Sequence, residues 1–209
     1  DLLGSGPYRP IDPDRPTWSN GHTPIDWSLD PVSGLRFPMH LPHNKWDLYA
    51  MRPGMADVKL PWEIARCQHW ATLAQAFRLT GDPRYASEIA NQLYDFMEAN
   101  PVGYGVNWTC TMDVAIRALN WALALEWIAA AQYCEPEFWQ HANVALFDHG
   151  CFIYQNLEDK YEVTSNHFLS DVVGLFYLAA WFSDLPSGRT WQEFCRDALE
   201  CEIATQDPV

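Results

Sequence analysis

From Pro61 onward, apolar residues recur at helical spacing, and the pattern is cut at short intervals by turn-forming clusters. A helix is predicted over 61–79, opened by a proline in its first turn and ended by Thr80-Gly81-Asp82-Pro83. Further helices are predicted over 83–99, 109–132, 135–157, 166–182 and 188–206, with Asn100-Pro101-Val102-Gly103 closing the first of these. Only the connections 100–108 and 158–165 are longer than a tight turn. The chain therefore reads as helix hairpins in series.

Two of the predicted helices lack a polar face. Helix 109–132 is interrupted only by Asp113, Arg117, Asn120 and Glu126 before Gln132, and helix 166–182 only by Ser170 and Asp171 between Phe168 and Phe182. A helix that is apolar all round is surrounded by other elements. Fully apolar helices alternating with amphipathic ones predict two concentric layers, the all-α architecture of an α/α toroid. Six predicted helices are about half of what a closed ring of six hairpins requires, so residues 57–209 read as about half of such a toroid.

Residues 1–56 have a different texture. Pro7, Pro10, Pro13, Pro16, Pro24, Pro31, Pro38, Pro42 and Pro53 forbid a long helix there. Trp18, Trp27 and Trp46 argue against a solvated linker. This segment is expected to be an irregular, ordered arm laid over the helices.

Composition narrows the function classes. The chain has 209 residues, 48% of them hydrophobic, and 11 are Trp, which suits either large core packing or aromatic platforms for sugar rings. A net charge of −14 argues against nucleic acid and, with only 13 basic residues, mildly against a highly sulfated polyanion, although a local basic cleft can exist inside an acidic shell. The Cys residues (67, 110, 134, 151, 195 and 201) show no metal-ligand spacing and read as buried thiols, so neither a metal nor a cofactor is expected. No signal-peptide pattern is visible at the start. The longest apolar run, Ala118–Ala131, carries Asn120 and Glu126, so no membrane span is expected.

Three polar and aromatic strings sit at or just before predicted helix starts: Asp57 to Arg66, Gly105 to Cys110, and Ser165-Asn166-His167. Converging on one rim, they would build a sugar-binding cleft. In the first, Trp62, Glu63, Arg66, His69 and Trp70 fall on one helical stripe. That stripe is either an ion pair with core tryptophans or a cleft wall in which Arg66 grips a carboxylate. Asn107 and Trp108 come from the second string. Asp113 and Arg117 are spaced i,i+4 in an apolar setting and are read as a pair, either orienting groups near the cleft or structural. In the third string Ser165 is read as an N-cap, placing Asn166 and His167 in a first turn where an anion is favoured, with Asp171 four residues on to orient the imidazole. His22, His40, His43, His141 and His149 show no ligand pattern and are read as structural. No GxSxG, Cys-His nucleophile pattern or phosphate loop occurs, and no acidic pair stands out.

These strings carry a resemblance. Asp57-Val58-Lys59-Leu60-Pro61-Trp62-Glu63 with Arg66, Leu79-Thr80-Gly81-Asp82-Pro83-Arg84-Tyr85-Ala86, Asn100-Pro101, Gly105-Val106-Asn107-Trp108-Thr109-Cys110 leading to Ala115-Ile116-Arg117 and Asn120-Trp121, and Asn166-His167 resemble, in that order, the N-terminal helical domain of heparinase II/III-like polysaccharide lyases. That group includes alginate and oligoalginate lyases. Ile25-Asp26-Trp27-Ser28-Leu29-Asp30-Pro31 resembles its leading arm. The resemblance implies an incomplete α/α toroid followed by β-sandwich domains, acting on an acidic polysaccharide or oligosaccharide by β-elimination. It implies that Asn166 neutralises a uronate carboxylate with His167 assisting. It also places the acid–base Tyr and a further His or Tyr beyond Val209, so these 209 residues alone are expected to be inactive and to depend on C-terminal domains of the same protein. Trp62, Glu63, Arg66, His69, Asn107, Trp108 and Arg117 are the expected substrate-binding residues. Tyr161, near Asn166 in sequence, is a local alternative for the acid or base. A polymeric substrate favours a periplasmic or secreted location. The alternatives are a non-catalytic polysaccharide-binding toroid of an assembly or export system, and a helical scaffold.

Overall fold

The computed structural model describes residues 20–47, 54–129, 134–159 and 166–206. The expectations placed on Trp18, Pro53, Tyr161 and Ser165, and on the prolines before residue 20, lie outside these. Among the described residues there are seven α-helices: α1 (Lys59–Ala65), α2 (His69–Thr80), α3 (Pro83–Ala99), α4 (Thr111–Ala129), α5 (Pro136–Gln155), α6 (Asn166–Trp181) and α7 (Pro186–Gln206). Short 3-10 turns occur at His43–Lys45 and Val106–Trp108. β-structure among the described residues is confined to two isolated bridges, Leu29 with Arg36 and Pro42 with Tyr104.

Helix ends follow local chemistry. Gly81 closes α2 in the left-handed region at φ 68°, and its N–H bonds the Phe77 carbonyl at 2.8 Å. Asp82 then caps α3, accepting from the Arg84 N–H at 3.0 Å, with Pro83 in the first turn. The 61–79 helix is a different matter: the structure splits it into α1 and α2 at Arg66–Gln68. Cys67 turns the chain with φ 53° although it carries a side chain. The break is held on both sides, since Asn120 Nδ2 of α4 donates to the Arg66 carbonyl at 2.9 Å and Trp62 Nε1 of α1 donates to the Val106 carbonyl at 2.8 Å.

The hairpins form two layers. α2, α4 and α6 are packed side by side, and each is paired with the next helix in sequence, α3, α5 and α7. This is an arc of an α/α toroid. α4 is its centre, with only Glu126 and Ala129, both in the last turn, exposed. Gly174 lets α6 approach α4, because a Cβ there would lie 2.7 Å from the Ala115 carbonyl oxygen. Trp191 of α7 lies over Gly150 of α5 in the same way. α6 departs from the expectation of a helix buried all round: Val173, Phe176 and Tyr177, spaced i, i+3, i+4, are exposed.

The described part of the N-terminal arm is pinned to the helices. Asp95 of α3 accepts from the Ile25 N–H at 2.6 Å and from Trp27 Nε1 at 3.1 Å. Asp30 accepts from the N–H groups of Val32 (2.8 Å), Ser33 (3.2 Å) and Asp57 (2.9 Å), which ties the arm to the chain entering α1. Trp27, Phe37 and Ala56 are buried.

Candidate functional site

A cavity of about 730 Å³ opens where four segments meet: His43 and Asn44 of the arm, Trp62 of α1, Thr109–Thr111 leading into α4, and the end of α5 running on through Asn156–Asp159. His167, in the first turn of α6, completes the wall. The loop after α5 is fixed to its neighbours by backbone-directed bonds. Thr111 Oγ1 donates to the Asn156 carbonyl at 2.7 Å, and the Thr111 N–H donates to Glu158 Oε1 at 3.3 Å. The Glu158 N–H donates to Asp171 Oδ2 at 2.9 Å.

These bonds place Glu158 against His167, with Nδ1 of the ring 2.6 Å from Glu158 Oε2. An ionised carboxylate only accepts, so Nδ1 carries the proton and Nε2 is left for a ligand. The orienting partner is therefore Glu158 and not Asp171, as i,i+4 spacing suggested. Asp171 works one step back by holding the Glu158 backbone. It is buried, and burial, reinforced by the charges of Glu158 and Asp159, raises its pKa from 3.8 to about 8 against the bond from the Glu158 N–H. Asn166 is the exposed first residue of α6, one position from the cavity wall, at the positive end of a 16-residue helix. Burial lowers the His43 pKa, favouring a neutral ring, and that ring meets Phe152 edge-on at 4.8 Å. The Cys110 thiol pKa is raised by burial and by the carboxylate of Asp113.

The structure divides the other expected residues between the cavity and the core. Trp62 lines the cavity. Arg66, beside it, lies between two carboxylates: Nε donates to Asp113 Oδ1 at 2.6 Å, and Nη1 pairs with exposed Glu63. Its charge balances a buried acid. His69 lies past the break at Cys67 and, with Trp70, bonds Gln92 of α3, at 2.6 and 2.7 Å respectively, away from the cavity. The single stripe from Trp62 to Trp70 does not exist, because the helix carrying it is broken.

Asn107, Trp108 and Arg117 are core residues. Asn107 Nδ2 donates to the Trp27 carbonyl (2.9 Å) and to Asn100 Oδ1 (2.8 Å). Arg117 is fully buried, and its partner is not Asp113. Both its Nη atoms donate to the Asn107 carbonyl at 3.2 Å, and Nε donates to His149 Nε2 at 2.9 Å. Its guanidinium carbon lies 4.5 Å from the centre of the Phe96 ring and 5.1 Å from that of Trp108. Burial brings its pKa down to about 10. His149 bonds the Ala145 carbonyl through Nδ1 at 2.7 Å, which leaves Nε2 as the acceptor; burial and the Arg117 charge push its pKa well below 6.5. This buried set fixes the Val106–Trp108 turn that delivers Thr109–Thr111 to the cavity. Sequence reasoning missed Glu158 as a cavity residue, and it read Cys110, although the second string ends on it, only as a buried thiol. Glu158 lies in a charged loop that reads as solvated surface.

A second cavity, of about 640 Å³, lies between the arm, α3 and the start of α5, lined by residues including Asn20, His22, Glu88, Tyr94 and Phe138. It takes in the starts of α3 and α5 but none of the three strings. Among the described residues no helix is long and apolar enough to cross a membrane.

Fold and cavity together define a toroid segment with a polar cavity at the mouth of an inner helix. Residues 12–207 match the family described as Heparinase II/III N-terminus, and the chain belongs to that family. It is similar to a heparin-sulfate lyase of Bacteroides stercoris, 22% identical over 171 residues, covering 72% of this chain and 25% of that protein. Among solved structures it is similar to the heparan sulfate lyase HepC from Pedobacter heparinus, with TM-score 0.67, 19% identity, and coverage of 77% of this chain and 25% of the other. It is also similar to a heparinase III, the BT4657 gene product, with TM-score 0.64, 22% identity, and coverage of 73% and 26%. The chain thus spans about a quarter of the length of the relatives it matches.

Proposed function

We propose that this chain forms part of the substrate site of a polysaccharide lyase acting on a uronic-acid-containing polysaccharide by β-elimination. The observation that carries the reading is the placement of Asn166 and His167. They open an inner helix at the edge of a cavity, with the imidazole oriented by Glu158 at 2.6 Å. The lyase names of the relatives support the reaction class.

In such an elimination the proton on C5 of the uronate is removed, the C4–O bond breaks, a C4–C5 double bond forms, and the departing oxygen takes up a proton. The C5 proton is hard to remove beside a carboxylate anion. An amide donor from Asn166 and the α6 dipole together offset that charge and stabilise the carbanion-like transition state, and His167 adds a donor at Nε2 when its ring carries a second proton. Trp62 provides a half-buried aromatic surface for a sugar ring. Arg117, His149 and Asn107 set the wall from behind. The residues that deliver the acid and the base are proposed to come from further segments of the protein, as the family resemblance implies.

The test is Asn166→Ala in the full-length protein, followed by absorbance of the unsaturated product on a panel of uronans. Loss of one such donor is expected to cost about 10²–10³ in rate with the thermal melt unchanged. Wild-type turnover in this variant would remove Asn166 from the reaction.

A further inference from the structure

Cys110, Glu158 and His167 each offer a ligand atom to the same point. The thiol sulfur, a carboxylate oxygen and a ring nitrogen all lie within 4.8 Å of one another. They come from three segments, the chain entering α4, the loop after α5, and the first turn of α6, which is why no ligand spacing shows in the sequence. Cys110 is buried while Glu158 and His167 are half-exposed, so the cluster faces the cavity and not bulk water.

Its surroundings support a bound cation. Glu158 is held from two sides, Oε1 by the Thr111 N–H and its own N–H by Asp171. Outer contacts of this kind orient metal ligands. One buried carboxylate oxygen beside the cluster lacks a hydrogen-bond donor: Oδ2 of Asp113, whose carboxylate lies near Cys110. That residue is 1% exposed. An unsatisfied buried acceptor beside a thiol, a carboxylate and an imidazole is what a bound cation would balance.

We propose that Cys110, Glu158 and His167 bind a thiophilic divalent cation of the zinc class, with the fourth coordination position open to the cavity. A thiolate–imidazole–carboxylate set suits Zn²⁺, whereas Ca²⁺ and Mg²⁺ require oxygen ligands. On binding, the thiol releases its proton to solvent, the imidazole proton shifts from Nδ1 to Nε2 so that Nδ1 donates its lone pair, and the carboxylate donates one oxygen. The Glu158–His167 hydrogen bond gives way to two bonds to the metal. Metal occupancy breaks the Glu158–His167 contact that orients the ring in the proposed substrate site. Metal capture needs only these ligands, whether or not the cavity accepts a uronate.

The experiment is zinc titration of the purified protein against a chromophoric chelator, for wild type, Cys110→Ala and Glu158→Gln, with a thermal melt of each to establish folding. Co²⁺ is loaded in parallel. Wild type is expected to bind one zinc and, with Co²⁺, to show a thiolate charge-transfer band in the near ultraviolet. Cys110→Ala should lose that band, and both variants should bind zinc more than tenfold more weakly. Absence of zinc binding by wild type would overturn the proposal. So would equal affinity in both folded variants, which would assign the metal to other histidines such as His22 and His40. The readout is metal binding, so absence of lyase activity leaves it intact.

Discussion

Asp171→Asn tests the wiring behind His167 through its dependence on pH. The Asp171 side chain is fully buried, with Oδ2 accepting the Glu158 N–H and Oδ1 without a donor. Its pKa is about 8 in the folded protein against 3.8 in an exposed chain. Between those values the folded state holds a proton that the unfolded state has released, so stability falls as pH rises across the window. Below the unfolded pKa both states are protonated and the penalty vanishes; above the folded pKa it is complete. One proton sets a maximum slope of about 1.4 kcal/mol per pH unit, and water reaching the loop will reduce it. Asparagine keeps an acceptor for the Glu158 N–H and does not titrate. Urea denaturation of both proteins from acid to neutral pH should therefore show the variant gaining on wild type by roughly 1 kcal/mol per pH unit. Parallel stability curves would refute the account, because Asp171 would then carry no proton that folding retains.

Two further predictions concern the frame. Arg117→Met strands the Asn107 carbonyl and His149 Nε2 in the core and should destabilise by about 1–3 kcal/mol for each stranded acceptor, measured as a shift in the urea midpoint at constant slope; a loss below about 1 kcal/mol would mean the buried set is not holding the Val106–Trp108 turn. Gly174→Ala places a methyl 2.7 Å from the Ala115 carbonyl oxygen and should cost about 1–3 kcal/mol, read by thermal melting, with an unchanged melt contradicting the close approach of α4 and α6.

The layered fold was legible because it rests on periodicity. The lack of polar breaks in 109–132 pointed to the central helix, and Thr80-Gly81-Asp82-Pro83 marked a helix boundary through left-handed glycine and capping chemistry. The break at Cys67 was not legible, since a positive φ at a residue with a side chain is imposed by tertiary contacts such as the one from Asn120. The same limit applies to the site. That Asn166 and His167 open a helix was legible from the sequence. Partners were not: Arg117 and Asp113 are adjacent on one helix turn, yet Arg117 turns inward to a carbonyl and a neutral histidine while Asp113 reaches Arg66 on another helix. Spacing along one helix specifies proximity, and burial decides which acceptor wins. Glu158 was hidden because the loop that carries it becomes a wall only when α5 and α6 pack.

The most direct measurement is a crystal structure of the protein with a uronic-acid oligosaccharide bound. The sugar is predicted to occupy the cavity beside Trp62, with a carboxylate within hydrogen-bond distance of the Asn166 amide or the His167 ring. An oligosaccharide seated instead in the cavity around His22 and Tyr94, with the first cavity vacant, would contradict the assignment of the site.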